Sequence, residues 1–174
     1  MSVDLKTLIR EVPDFPQKGI LFYDITTLLK DPAGFQSVTD QLLEAVKPYE
    51  FSKVVGIESR GFIFGGPLAD RLSLGLVPIR KPGKLPAETI ETSYALEYGT
   101  NTIAIHRDAV SPGERVLIVD DLLATGGTAE AAIQLVEQLG GVVSCIAFVI
   151  ELSFLNARPK FEKYPMISLL QYSA

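Results

Sequence analysis

Val116-Leu117-Ile118-Val119-Asp120-Asp121-Leu122-Leu123-Ala124-Thr125-Gly126-Gly127-Thr128 is the stretch from which the rest of the chain is read. The apolar run ending at Val119 predicts a strand over Arg115 to Val119, covered on both faces. After it come an acidic pair, a glycine loop and a helix with the apolar stripe Ala129, Ala132, Ile133, Val136 and Leu139. That order puts the backbone amides of Ala124 to Thr128 at a helix N-terminus, where they can surround a phosphate monoester. Gly126 and Gly127 remove side-chain bulk, and the hydroxyls of Thr125 and Thr128 add donors. Carboxylates repel phosphate, so Asp120 and Asp121 are expected to take the hydroxyls of an attached sugar, or to bind a metal directly or through water. The expected ligand is a sugar phosphate. The plain alternative is a turn at Thr-Gly-Gly-Thr and an acidic pair that merely ends a strand. It leaves the register of strand, acids and amphipathic helix unexplained. Neither the P-loop pattern nor Gly-x-Gly-x-x-Gly after a strand occurs.

Outward from this stretch, strands and helices alternate. Asp31 and Pro32 read as N-cap and first helical residue of a helix with Phe35, Val38, Leu42, Ala45 and Val46 on its apolar face, ended by Lys47 and Pro48. Lys53 to Ile57 predicts a strand leading into Glu58-Ser59-Arg60-Gly61, and Leu76 to Arg80 predicts the next. Lys81 to about Ser93 reads as a long lid or binding loop. Ser93 to Leu96 and Thr102 to Arg107 flank a turn-like centre and predict an antiparallel hairpin. Gly140 and Gly141 close the last helix, and Val142 to Ile150 is a further buried strand. Leu5, Leu8 and Ile9 predict a short helix within Ser2 to Glu11, stopped by Pro13 and Pro16. The pattern is that of an α/β domain with a mainly parallel sheet.

Composition agrees with one core. The 174 residues are 47% hydrophobic and 21% charged, with no repeat or low-complexity tract. Sixteen Lys plus Arg against twenty-one Asp plus Glu give a net charge of -5, which argues against a nucleic-acid footprint or an anionic membrane partner. An anionic ligand must therefore be held locally. Val142 to Ile150 falls well short of the roughly 20 residues needed to cross a bilayer. Cys145 has no internal disulfide partner and no basic-then-apolar leader opens the sequence at Met1, so the expected compartment is the reducing cytoplasm. His106, the single histidine, lies in an expected strand with no partner for a metal or catalytic role.

The thirteen residues from Val116 to Thr128 resemble the phosphoribosyl pyrophosphate signature of the type I phosphoribosyltransferases. Asp14-Phe15-Pro16, Phe22-Tyr23-Asp24-Ile25, Glu58-Ser59-Arg60-Gly61-Phe62, Arg80 to Pro86 and Ser93 to Gly99 narrow the resemblance to the adenine phosphoribosyltransferase family, and Ser168 to Tyr172 also fits. The resemblance implies one phosphoribosyltransferase domain over residues 1–174, with a hood segment over about 1–30 and a core over about 31–174. It implies conversion of adenine and phosphoribosyl pyrophosphate to AMP and pyrophosphate in purine salvage. Mg2+ would be carried mainly by substrate and water, with no dedicated protein ligands, and the enzyme would be a homodimer. The rivals are a transferase for hypoxanthine, guanine, xanthine or orotate, and a regulator on the same fold that binds a phosphoribosyl compound without turning it over.

By the same resemblance, the phosphoribosyl group is held by Asp120, Asp121, Ala124, Thr125, Gly126, Gly127 and Thr128, and pyrophosphate by Ser59, Arg60, Arg80, Lys81 and Lys84. Some of the Arg80–Lys84 cluster is implied to reach the site of a neighbouring subunit. Arg60 offers a planar fork of donors suited to diphosphate; its plain alternative is a surface arginine in a salt bridge. Glu97 is implied as the general acid or base facing N7 of adenine, against the alternative of a solvated hairpin glutamate. Leu21, Phe22 and Tyr23 correspond to the adenine-holding hood segment, and Phe22 reads equally as a core-edge residue. Tyr23 stands where the family often has arginine, and Thr26-Thr27 where it has Ser-Pro. Tyr94 and Tyr98 flank Glu97 and either pack or cover the substrate.

Overall fold

A computed structural model describes residues 3–96 and 99–173. Two compact units divide the chain after Glu44. In the first, a 3-10 turn over Leu5–Leu8 precedes β1 (Arg10–Pro13), which pairs antiparallel with β2 (Leu21–Asp24), and a short helix α1 (Thr26–Leu29) follows. The helix expected within Ser2 to Glu11 is thus replaced by one 3-10 turn and a strand. Asp4 closes the turn by accepting the Lys6 amide at 3.1 Å, and from Arg10 onward the backbone is taken by pairing with β2. Helical spacing of three apolar residues loses to that pairing. Helix α2 (Pro32–Val46) starts as expected, with Asp31 accepting the Gly34 amide at 3.3 Å, and runs across the boundary between the units.

The second unit carries, in chain order, β3 (Lys53–Ile57), α3 (Arg60–Leu72), β4 (Gly75–Ile79), β5 (Thr89–Ala95), β6 (Thr100–His106), β7 (Arg115–Leu123), α4 (Gly127–Gln138), β8 (Val142–Leu152) and β9 (Met166–Tyr172). Five of these strands form one sheet in the order β4-β3-β7-β8-β9, parallel throughout. Parallel pairing puts all five carboxyl ends on one edge. The central strands are near-continuous apolar runs buried on both faces: Val116 to Val119 and Cys145 to Ile146 are fully buried. Burial raises the Cys145 thiol pKa to about 12.

Two boundaries differ from expectation by more than two residues. β7 continues through the acidic pair to Leu123, because Asp120 and Leu122 lie in register with Phe148 and Ile150 of β8. β5 begins at Thr89, inside the stretch expected to be a loop to Ser93, and pairs antiparallel with β6 from Thr89↔His106 to Ala95↔Thr100. Thr89, Ile90, Thr92 and Tyr94 are strand formers that the preceding Pro- and Gly-bearing stretch obscured, and the alternate side chains Thr92 and Tyr94 are half-buried. The hairpin joins the sheet edge at Arg80, whose amide and carbonyl bond those of Ala104 at 3.0 and 2.7 Å.

Candidate active site

A cleft of about 460 Å³ opens at the carboxyl edge of β3 and β7. One wall is the segment from Asp120 to Ala129, where strand passes into helix. Gly126 makes the turn with φ +91°, a left-handed conformation, and a Cβ there would lie 2.9 Å from the Phe161 ring, so both backbone and space require glycine. The first α4 bond is Glu130 N–H to the Gly126 carbonyl at 2.9 Å. The amides of Gly127, Thr128 and Ala129 therefore precede the helix's own ladder and stand at its positive end, along the cleft. This places the expected cradle of Ala124, Thr125, Gly126, Gly127 and Thr128 in one cavity wall.

The opposite wall is the end of β3, the Ser59–Arg60 corner and the first turn of α3. A Cβ on Gly61 would lie 2.7 Å from the Val119 carbonyl oxygen and 3.2 Å from Asp120 Oδ1. Only glycine lets α3 start this close to β7, and that approach brings Arg60 beside the acidic pair. Arg60 Nε donates to Asp121 Oδ2. The Asp121 side chain is 8% exposed and that of Arg60 46%, so a buried carboxylate meets a guanidinium open to the cleft. Asp120 Oδ1 accepts the Asp121 amide at 2.9 Å. Burial, and then the neighbouring Asp121 carboxylate, push the Asp120 carboxyl well above the usual carboxylate range.

Glu58 lines the cleft next to Ser59 and anchors the following segment. Its carboxylate accepts the Lys81 amide at 2.9 Å and Arg80 Nε and Nη2 at 3.3 Å each. Those bonds, the Lys81 amide first, hold its pKa below the ordinary value. Across the cleft, Tyr94 on β5 accepts from Thr128 Oγ1 at 2.9 Å and from Asn101 Nδ2 at 3.2 Å, tying the hairpin to the start of α4. Hydroxyl, carboxylate and guanidinium groups thus surround a space ringed by helix-terminal amides, the donor and acceptor set of a sugar phosphate site.

Residues 24–169 match the family model described as the phosphoribosyl transferase domain. The chain is 56% identical over 170 residues to the adenine phosphoribosyltransferase of Synechococcus sp., covering 98% of this chain and 99% of that protein. It is 59% identical over 169 residues to that of Solibacter usitatus, covering 97% and 98%. The chain belongs to the adenine phosphoribosyltransferase family. A crystal structure of the family member from Thermoanaerobacter pseudethanolicus superposes with a TM-score of 0.94 at 54% identity, over 97% of this chain and 98% of that one. The adenine phosphoribosyltransferase of Saccharomyces cerevisiae, crystallised with an imino-altritol bisphosphate and adenine, matches with a TM-score of 0.89 at 43% identity, over 96% and 97%. The type I phosphoribosyltransferase fold, with its mainly parallel sheet, is the fold expected from the sequence.

Of the residues that family resemblance singles out, Ser59, Arg60, Lys81, Asp120, Asp121 and the Ala124–Thr128 loop line one cleft. Arg80 and Lys84 are absent from its described lining: Arg80 is engaged by Glu58 and by the Lys84 carbonyl at 3.3 Å, and Lys84 is exposed. Glu97 and Tyr98 lie outside the described residues. In the first unit, the Phe22 ring meets that of Phe15 edge-on at 5.1 Å, Leu21 is 37% exposed, and Tyr23 is buried, which raises its hydroxyl pKa. Sequence reasoning passed over Glu58, Asn101 and Phe148. Glu58 sits inside a quoted motif, and its signal was the basic pair Arg80-Lys81 at the end of the neighbouring parallel strand. Phe148 becomes visible only through its register opposite Asp120.

Proposed function

We propose that the chain transfers the 5-phosphoribosyl group of phosphoribosyl pyrophosphate to adenine, forming AMP and releasing pyrophosphate in purine salvage. The observation that carries this reading is the meeting of Asp120, Asp121 and the Ala124–Thr128 loop with Ser59 and Arg60 in one cleft, in a chain of this family. The amides at the start of α4, with the Thr125 and Thr128 hydroxyls, take the 5′-phosphate. Asp120 and Asp121 accept the ribose hydroxyls. Ser59, Arg60 and Lys81 receive the diphosphate as its charge grows on departure from the anomeric carbon. Adenine N9 bonds to that carbon while Glu97 handles the proton at N7, and Leu21, Phe22 and Tyr23 hold the ring.

Mg2+ suits this donor set as a substrate-borne ion. No group of three or more His, Cys, Asp or Glu side chains among the described residues is arranged to hold a metal, whereas the Asp120 and Asp121 carboxylates offer hard oxygen partners to bound hydroxyls and water. When bound, Mg2+ neutralises charge on the diphosphate. A homodimer fits the outward position of Lys84, which is free to meet the diphosphate of a neighbouring subunit. A reducing cytoplasm fits the single, buried Cys145. Among the described residues no helix is long and apolar enough to cross a membrane.

The test is pyrophosphate release with and without Mg2+ from a panel of adenine, hypoxanthine, guanine, xanthine and orotate. Adenine is expected to be preferred by at least about a hundredfold in kcat/KM. Preference for another base would assign a different salvage reaction, and binding of phosphoribosyl pyrophosphate without turnover of any base would make the chain a sensor. Sedimentation at assay concentration checks the dimer.

A further inference from the structure

Glu151 is a buried carboxylate that the chemistry above leaves unused. It is 3% exposed and stands near the carboxyl end of β8, in register with Leu123, the last residue of β7, and with Gln171 of β9. A carboxylate so placed is costly unless its oxygens are filled. Arg158 Nε donates to Oε1 at 2.9 Å and to Oε2 at 3.1 Å, and Arg158 Nη2 donates to Oε2 at 2.8 Å. Ser168 Oγ on β9 donates to Oε2 at 2.5 Å and accepts from Arg158 Nη2 at 2.9 Å. The three side chains close a ring of charge-assisted bonds that fixes Arg158 to β8 and β9.

Arg158 opens the 3-10 turn Arg158–Phe161, preceded by Ala157. Ala157 and Phe161 are 3% and 2% exposed and lie beside Gly126 of the phosphate loop. A Cβ on Gly126 would meet Phe161 Cε2 at 2.9 Å and Ala157 Cβ at 3.5 Å. The Gly126 carbonyl is also the first acceptor of the α4 ladder. The position of the Phe161 ring therefore sets where Gly126 lies, and with it the direction of the amides that follow.

We propose that Glu151, Arg158 and Ser168 are positioning residues that set the phosphate-binding loop at its working geometry through Ala157 and Phe161, without lining the cleft. The proposal rests on the reading of Ala124–Thr128 as the 5′-phosphate cradle. It separates this network from an ordinary stabilising ion pair, because it acts on one substrate and not the other. A loop displaced by a fraction of an ångström loses affinity for phosphate while the base site keeps its own.

The test measures, for Glu151→Gln, Arg158→Lys, Phe161→Leu and Ser168→Ala, the Kd for ribose 5-phosphate by calorimetry, both Michaelis constants, and the melting temperature. For the first three variants the expected result is weaker ribose 5-phosphate binding by about five- to tenfold, a matching rise in KM for phosphoribosyl pyrophosphate, and a KM for adenine within about twofold of the parent. Ser168→Ala keeps the Arg158–Glu151 pair, and is expected to show the same split at about two- to threefold; it decides the matter if the other variants do not fold. A lowered melting temperature with unchanged ribose 5-phosphate affinity overturns the proposal, and so does an equal loss for both substrates. Because ribose 5-phosphate binding needs no turnover, a parent protein that binds it but makes no AMP would refute the catalytic reading and leave the network's role to stand on the calorimetry.

Discussion

Arg60 and Asp121, 61 positions apart in sequence, are joined in the candidate site by a bond from Nε to Oδ2. The salt bridge that served as the plain alternative for Arg60 is thus present, and it lies inside the cleft. The pair aims the guanidinium and offsets the burial of Asp121. Replacing Arg60 with Ala is expected to lower kcat by about a hundredfold or more, as loss of a donor to a developing charge does. Arg60 is half exposed, but its loss leaves the buried Asp121 carboxylate unpaired, so about 2–3 kcal/mol of stability should go with it. Steady-state kinetics and thermal melting separate the two effects; an Ala variant that melts early and keeps its turnover would make the pair structural.

Gly126→Ala asks a left-handed backbone to carry a Cβ and drives that carbon into Phe161. The first effect costs about 1–2 kcal/mol and the second about 1–3 kcal/mol. Urea unfolding is expected to show a loss of several kcal/mol, with ribose 5-phosphate binding abolished. A variant within about 0.5 kcal/mol of the parent would mean that the loop tolerates another conformation.

Asp24 connects stability to pH in the first unit. Bonds from the Thr26 hydroxyl, from Arg10 and from the Thr26 amide lower its pKa from 3.8 to about 2. A depressed carboxyl pKa stabilises the folded state above the unfolded value, and that contribution is lost as pH falls through about 2. Asp24→Asn is expected to melt about 3 °C below the parent at pH 7, for roughly 1 kcal/mol in a chain of this size, with the gap closing between pH 4 and pH 2. A gap that is the same at both ends of that range would show that the carboxylate charge is not the source.

Glu97→Gln is expected to reduce kcat by about a hundredfold while KM for phosphoribosyl pyrophosphate stays within about twofold, since a proton-transfer group acts in the transition state. Rapid-mix assays of AMP formation check the chemical step itself. Unchanged turnover would remove Glu97 from the reaction.

The strand, acidic pair, glycines and helix from Val116 onward were legible because their chemistry is local: each residue type does its work within a few positions of the next. What escaped depends on partners far along the chain. Asp120 to Leu123 have the composition of a loop's beginning, and become strand through pairing with Phe148 to Glu151. Thr89, Ile90 and Thr92 are β-branched, and their strand signal was masked by the Pro, Gly, Lys and Glu of the residues just before them; pairing with Ile103 to His106 fixes the strand. Glu58 reaches Arg80 across 22 positions, and the Glu151 network needs the β8–β9 register together with the turn after Ala157. The short helix expected near Leu5 failed for the converse reason: a local period was outweighed by strand pairing with Leu21 to Asp24.

Cys145 stands within β8, fully buried, and that burial pushes its thiol pKa up to about 12. Alkylating reagents act on thiolates they can reach, so the native chain should stay inert toward maleimides while folded. A cysteine engineered at an exposed position of α2 would then be the sole labelled position, and a fluorophore could be attached there without first deleting the native thiol.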